Sequence, residues 1–254
     1  MNAVRRVGDT VVRVSGPWTV TVHRYLYTLA AAGIEGIPTP LAIDGGTETL
    51  TYVDGIVPQY PLPAWVFTDS ALRQAAARLR AMHDASVPLT NADGTWQSPT
   101  HEPVEVVCHN DFSPHNLVFV EGRVVGVIDF DMASPGPRIW DLAYLATRMV
   151  PLTSELPAEA PGEDQWARRI RLMLDAYGSV ASAPIGALEV VRAAVVRLRD
   201  LATFSEAKAA ELGKPVLLEH AALYRRDADY LDSRGDVEHS RSHHDDRDNQ
   251  GDSR

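Results

Sequence analysis

His109-Asn110-Asp111-Phe112-Ser113-Pro114-His115-Asn116 and, thirteen residues after Asn116, Asp129-Phe130-Asp131 are the stretch on which the reading of this chain turns. The first segment is a polar turn between two apolar runs, Val104–Cys108 and Leu117–Val120. Glu121-Gly122 reads as a tight turn, and Val124–Ile128 as the strand that returns from it. A hairpin brings its two open ends together, so Asn116 enters and Asp129 leaves on the same edge. Phosphoryl transfer from a nucleotide needs a carboxylate to orient the acceptor hydroxyl. It also needs an amide oxygen and a second carboxylate to hold Mg2+ against the phosphates. Asp111, Asn116 and Asp129 are those residue types, and the strand pattern alone predicts their convergence.

Working outward, the segments upstream alternate strand and helix signals. Val4–Val7 and Thr10–Val14 flank Gly8-Asp9 as a hairpin, and Pro17 stands at a helix start. Trp18, Val22, Tyr25, Leu26 and Leu29 recur at helical spacing before Gly33. Asp44-Gly45-Gly46 marks a second hairpin ahead of Leu50–Val53. Residues 1–55 thus read as a small α+β lobe and the proline-rich residues 56–68 as a connector. Asp69 is placed as the N-cap of a helix whose inner face carries Leu72, Ala75, Ala76, Leu79, Met82 and His83.

Downstream, Asp141 is placed as the N-cap of a helix that ends before Pro151. Trp166–Tyr177, Ile185–Leu212 and Pro215–Leu231 follow as helices, making residues 69–232 a mainly helical lobe. Residues 233–254 are almost devoid of apolar side chains and are predicted to be a disordered tail.

Composition bounds the function. The 254 residues carry a net charge of −10, which opposes nucleic-acid binding and is compatible with a cationic substrate. One cysteine, Cys108, allows no intrachain disulfide and fits a reducing compartment. Arg5 and Arg6 are not followed by an apolar signal core, and no apolar run is long enough to span a bilayer. The expectation is a cytoplasmic protein with neither membrane nor nucleic-acid partner.

The quoted residues resemble the aminoglycoside phosphotransferase family, which is similar to choline kinases and is related to protein kinases. Its catalytic loop, H-x-D-x-x-x-x-N, is met by His109, Asp111 and Asn116. Its metal-binding I-D-[FW] is met by Ile128-Asp129-Phe130, and its D-L-A helix by Asp141-Leu142-Ala143. The resemblance implies an α+β, two-lobed protein-kinase-like fold with a small, truncated N-terminal β lobe and a mainly helical C-terminal lobe. It also implies γ-phosphoryl transfer from ATP or GTP to a hydroxyl of a small molecule. Asp111 would be the catalytic base in a loop braced by His109, while Asn116 and Asp129 would ligate Mg2+ with Asp131 assisting. Adenine would lie along the backbone of Thr51, Tyr52 and Val53. The acceptor would meet Glu155–Asp164 and the helix bearing Glu206 and Glu211.

Two departures accompany the match. No Gly-rich phosphate loop precedes the first hairpin, and the strand lysine is absent, with Arg13 nearest its place. The helix Pro17–Ala32 has no acidic residue to partner such a cation, and His23 is its closest polar candidate. These departures support an alternative, a nucleotide- or metabolite-binding protein without turnover. Other polar and aromatic residues have plainer readings: Cys108 as a small buried hydrophobe, His115 as a solvent-facing loop residue, Trp18, Trp65 and Trp140 as packing, and the tail cluster His239, His243, His244, Asp245 and Asp246 as solvated.

Overall fold

The structure is a computed structural model that describes residues 4–179 and 185–248, with side chains described as far as Arg234. Its N-terminal lobe is an antiparallel sheet of four strands in the order β1-β2-β4-β3, crossed by one helix. The strands are β1 (Arg5–Val7), β2 (Thr10–Val14), β3 (Pro40–Asp44) and β4 (Thr47–Thr51), and the helix is α1 (Thr19–Ala31). Gly45 and Gly46, both at positive φ, close the β3–β4 hairpin in a backbone conformation that side-chain-bearing residues resist. Helix α1 separates β2 from β3 and lets β2 pair with β4, placing Arg13 directly opposite Glu48. Val22, Tyr25, Leu26 and Leu29 form the buried stripe of α1.

The second lobe begins with α2 (Asp69–Ser86), which the Thr68 hydroxyl caps by accepting the Ala71 amide at 3.2 Å. Thr68, not Asp69, is therefore the N-cap: a hydroxyl one residue earlier reaches the free amides of the first turn. Leu72, Ala75, Ala76, Leu79 and Met82 meet the stripe of α1 in one continuous core. Leu26, Leu29, Leu72 and Leu79 are all fully buried there, each stabilising the fold by roughly 1.5–3 kcal/mol relative to exposure.

Two short ribbons follow. One pairs β5 (Val106–Cys108) with β8 (Ser134–Gly136), and the other is the hairpin of β6 (Leu117–Val120) and β7 (Arg123–Val127). The apolar-run reading found β5, β6 and β7 but missed β8, whose Ser-Pro-Gly sequence carries no strand signal. Gly36, at φ +69°, ties the lobes together: its carbonyl accepts the Val127 amide at 2.9 Å. A Cβ at Gly36 would lie 1.9 Å from the Val125 carbonyl oxygen, so β7 can approach only a glycine there.

Helices α3 (Arg138–Met149), α4 (Trp166–Tyr177), α5 (Ala187–Leu212) and α6 (Val216–Asp248) complete the lobe. Gly213 in the left-handed conformation ends α5 and reverses the chain into α6. Helix α6 runs past Asp232 into the segment predicted to be disordered. That segment has one glycine and no proline before Asp248, so its polarity does not by itself break a helix. The side chains of the tail cluster from His239 to Asp246 lie outside the described residues. Among the described residues, no helix is long and apolar enough to cross a membrane.

Candidate active site

The loop between β5 and β6 is fixed by backbone bonds before any of its side chains can act. Asp141, fully buried in the first turn of α3, accepts the His109 amide at 2.6 Å on Oδ2 and the Asn110 amide at 2.8 Å on Oδ1. The same Oδ2 accepts Nε2–H of His83 at 3.0 Å, and Tyr177 holds the far side of that ring at 2.7 Å. Burial alone would raise the Asp141 carboxyl, but the hydrogen bond and charge of His83 and the loop amides outweigh it and lower it. Asp141 is thus no N-cap, which is Pro137; it lies one turn in, where its carboxylate reaches a different loop.

Asn110 stands at φ +64°, a conformation asparagine tolerates. Its side-chain nitrogen Nδ2 donates to the Met132 carbonyl and the Ser134 hydroxyl, each at 2.8 Å, and its backbone carbonyl accepts Nη2 of Arg197 at 2.5 Å. Arg197 comes from α5 and stacks over Trp140 at 4.9 Å, so Trp140 supports a cation as well as packing. His109 is wholly buried. Its Nε2–H donates to the Ile128 carbonyl at 3.1 Å and its Nδ1 accepts the Asp111 amide at 3.3 Å, so both ring nitrogens hold the loop.

These bonds deliver Asp111 to the mouth of the loop. Asn116 Nδ2 donates to the Asp111 backbone carbonyl and to its Oδ2, both at 2.8 Å. This orients the amide and leaves Asn116 Oδ1 as an oxygen donor. The Asn116 carbonyl in turn accepts the Ile128 amide at 2.9 Å, which seats Asp129 on the same edge as Asn116. Burial raises the Asp111 carboxyl and Asp129 adds to the rise, opposed by His109 and by hydrogen bonds from Tyr144 and Asn116. Such a raised carboxylate is a better proton acceptor than a solvated one.

Arg13 faces this edge from β2. Its Nε donates to Glu48 at 2.9 Å, Nη1 to Asp129 at 3.2 Å and Nη2 to Asp131 at 2.5 Å. Burial works against its charge, but Asp131, Glu48 and Asp129 outweigh that and raise it above the ordinary arginine value. Burial lifts Asp131 to about 6, with Arg13 restraining the rise and Asp129 and Glu48 adding to it. The indole of Trp18 adds a small lowering influence on Asp131, so Trp18 borders the site as well as packing. The acidic partner absent from α1 is supplied by β4 as Glu48, which also bonds His23 Nε2 at 2.6 Å. Asn116, Asp129 and Asp131 are hard oxygen donors clustered at one edge, a set that suits Mg2+.

Residues 58–168 match the phosphotransferase enzyme family. The trifolitoxin immunity protein of Rhizobium leguminosarum bv. trifolii is 31% identical over 186 residues, covering 69% of this chain and 70% of that protein. The chain belongs to the phosphotransferase enzyme family. A shorter match, 54% identical over 43 residues, joins it to an aminoglycoside 3'-phosphotransferase of Escherichia coli, covering 17% of this chain and 16% of that one. Among solved structures, a choline/ethanolamine kinase family protein from Mesorhizobium loti superposes with a TM-score of 0.60 at 16% identity. That superposition spans 91% of this chain and 84% of the other. The protein-kinase-like fold is therefore that of this phosphotransferase.

Other residues of the phosphotransferase fall apart from the loop. The Thr51 amide is bound to the Thr39 carbonyl at 2.9 Å and the Tyr52 amide to the Asp9 carbonyl at 2.8 Å, while Val53 lies past the last rung of the sheet. Glu206 pairs with Arg225, and Glu211 with Lys208, on exposed faces of α5. Glu155 pairs with Arg226 and Glu163 with Arg234. His115 is half-buried, its ring set edge-on to Tyr60 at 4.4 Å, not free in solvent. Cys108 is fully buried and its thiol is pushed well up by burial, as an inert core residue would be. Glu48, Tyr144 and Arg197 escaped the sequence reading, which placed His83 on the inner face of α2 without its bond to Asp141. A lone acid in a Thr-rich strand was the available signal for Glu48, and it needed the β2–β4 register to be interpreted.

Proposed function

We propose that this phosphotransferase moves the γ-phosphoryl group of ATP or GTP to a hydroxyl of a small molecule, with Asp111 as base. The observation that carries the proposal is the bonded sequence Asp111–Asn116–Ile128, which sets a half-buried carboxylate, an amide oxygen and Asp129 on one edge. Asp111 orients the acceptor hydroxyl and takes its proton, held by Asn116 and by Tyr144. Mg2+ bound by Asn116, Asp129 and Asp131 would offset the negative charge of the phosphates. Arg13 serves as the cation of the donor side, held in place by Glu48, in the part a strand lysine takes in relatives.

In this proposal residues 1–55 form the donor lobe, with Thr51 to Val53 along the adenine. Residues 56–68 connect it to the catalytic and acceptor lobe at 69–232. The domain name shared with the family and the name of the aminoglycoside relative both favour phosphate transfer. The relative with the longer match is named for immunity to a toxin, and this favours a second reading, capture of a toxic small molecule without turnover.

The test is calorimetric titration of the full chain with Mg2+·ATP and Mg2+·GTP beside Asp129→Ala. Saturable, Mg2+-dependent binding that Asp129→Ala weakens by about tenfold or more is expected, as loss of one charged metal ligand should produce. Binding of neither nucleotide would remove the donor half of the proposal and leave the capture reading.

A further inference from the structure

Joined to Asp111 through Tyr144, a second arginine lies in a different setting. Arg148 stands one turn after Tyr144 on α3, and its Nη2 donates to the hydroxyls of Tyr144 at 3.4 Å and Tyr224 at 3.3 Å. Its guanidinium lies 5.0 Å from the centre of the Tyr144 ring and 5.5 Å from that of Tyr224. The Tyr144 hydroxyl in turn interacts with Asp111, and Tyr60 of the connector and His115 of the β5–β6 loop border the same space. The place is reachable: Tyr60 is 59% exposed and Arg148 and Tyr224 are half-buried.

Arg148 has no carboxylate within ion-pairing distance among the described residues. The more buried Arg13, Arg138, Arg169 and Arg197 each have one. A partly desolvated guanidinium with only neutral partners is costly unless an anion completes it. Its described hydrogen bonds use Nη2 alone, so the N–H groups of Nη1 and Nε remain, each able to donate singly to an oxygen of a carboxylate or phosphate. In the segments expected to meet the acceptor, Glu206, Glu211, Glu155 and Glu163 are in ion pairs with neighbouring basic residues.

We infer that the acceptor is an anionic hydroxyl compound whose carboxylate or phosphate docks on Arg148 within the tyrosines, presenting a hydroxyl to Asp111. This rests on the phosphotransferase reading and adds the acceptor's charge to it. The bond formed is from the acceptor oxygen to the γ-phosphorus, the bond broken is that to the β–γ bridging oxygen, and the hydroxyl proton passes to Asp111. Arg148 takes no part in those exchanges; it selects and positions.

The experiment compares pairs that differ only in the anionic group, with Mg2+·ATP binding measured first on the same sample. D-Glycerate is set against glycerol and D-gluconate against sorbitol, with choline as the cationic probe. Affinity is read by calorimetry and transfer by ADP release. At least one hydroxy acid should bind about tenfold or more tighter than its alcohol, the usual worth of a charge-assisted pair. Arg148→Gln should erase that ratio and Arg148→Lys should restore part of it. Equal affinity within both pairs, preference for choline, or a ratio that survives in Arg148→Gln overturns the inference. So does an Arg148→Gln variant whose turnover falls equally with acids and alcohols, since Arg148 would then only position Tyr144. Failure of Mg2+·ATP to bind, by contrast, strikes the phosphotransferase reading itself.

Discussion

Arg13 and Asp131 show how far the site's balance depends on single side chains. Arg13 joins three carboxylates, Glu48, Asp129 and Asp131, and is the cation that lets them share one edge. Asp131 has an ordinary value of 3.8 and stands at about 6 in the fold, so its ionised form is less favourable there than in the unfolded chain. Its effect on stability is therefore nil below both values, grows more unfavourable as pH rises from about 4 to 6, and is constant above. In Mg2+-free protein, Asp131→Asn should raise the melting temperature at pH 7.5 relative to wild type, with the gain shrinking to nothing near pH 4. Thermal scans across that range check it, and a gain independent of pH would contradict it. Arg13 was legible as a candidate because it stands nearest the place of the strand lysine that the family resemblance calls for. Glu48 was not, because the pairing of β2 with β4 skips over a helix and β3.

The loop between β5 and β6, with the hairpin that follows it, was the most legible element, and the reason is locality. Its hairpin is contiguous in sequence, so strand, turn and strand place Asn116 beside Asp129 without knowledge of the rest of the chain. What holds the loop is not local. Asp141, thirty-two residues after His109, joins α3 to the loop and to His83 of α2, a contact no periodicity announces. Asp141→Asn keeps the shape but removes the charge that both amides and His83 oppose. The expected cost is about 3 kcal/mol, the lower range for stripping one partner from a buried pair. Urea unfolding measures it, and a loss under about 0.5 kcal/mol, the size of an ordinary surface change, would show that Asp141 does not anchor the loop. The same placement explains why the N-cap reading of Asp141 failed: a carboxylate near a helix start is ambiguous until the neighbouring loop is known.

At the scale of the whole molecule, two lobes meet along a line where Gly36 contacts β7 and Arg13 crosses to Asp129. The order of elements was legible from apolar periodicity and from glycines at reversals. The continuation of α6 to Asp248 was not, because composition reports the lack of a core-facing stripe, not the lack of helical backbone. The chemistry of the acceptor was hidden for a similar reason. Net charge sums over the surface, whereas the groups proposed to receive the acceptor are Arg148 and the tyrosines it bonds.

The central claim is that Asp111 performs transfer on a nucleotide bound by its neighbours. Its most direct test is Asp111→Asn, followed by single-turnover transfer of γ-phosphate from Mg2+·ATP to an accepting hydroxyl compound, with nucleotide affinity measured in parallel. Nucleotide affinity within about twofold of wild type and a transfer rate lowered about 10²- to 10⁴-fold, the usual worth of a positioned base, is the result predicted. Transfer undiminished in Asp111→Asn would contradict the assignment.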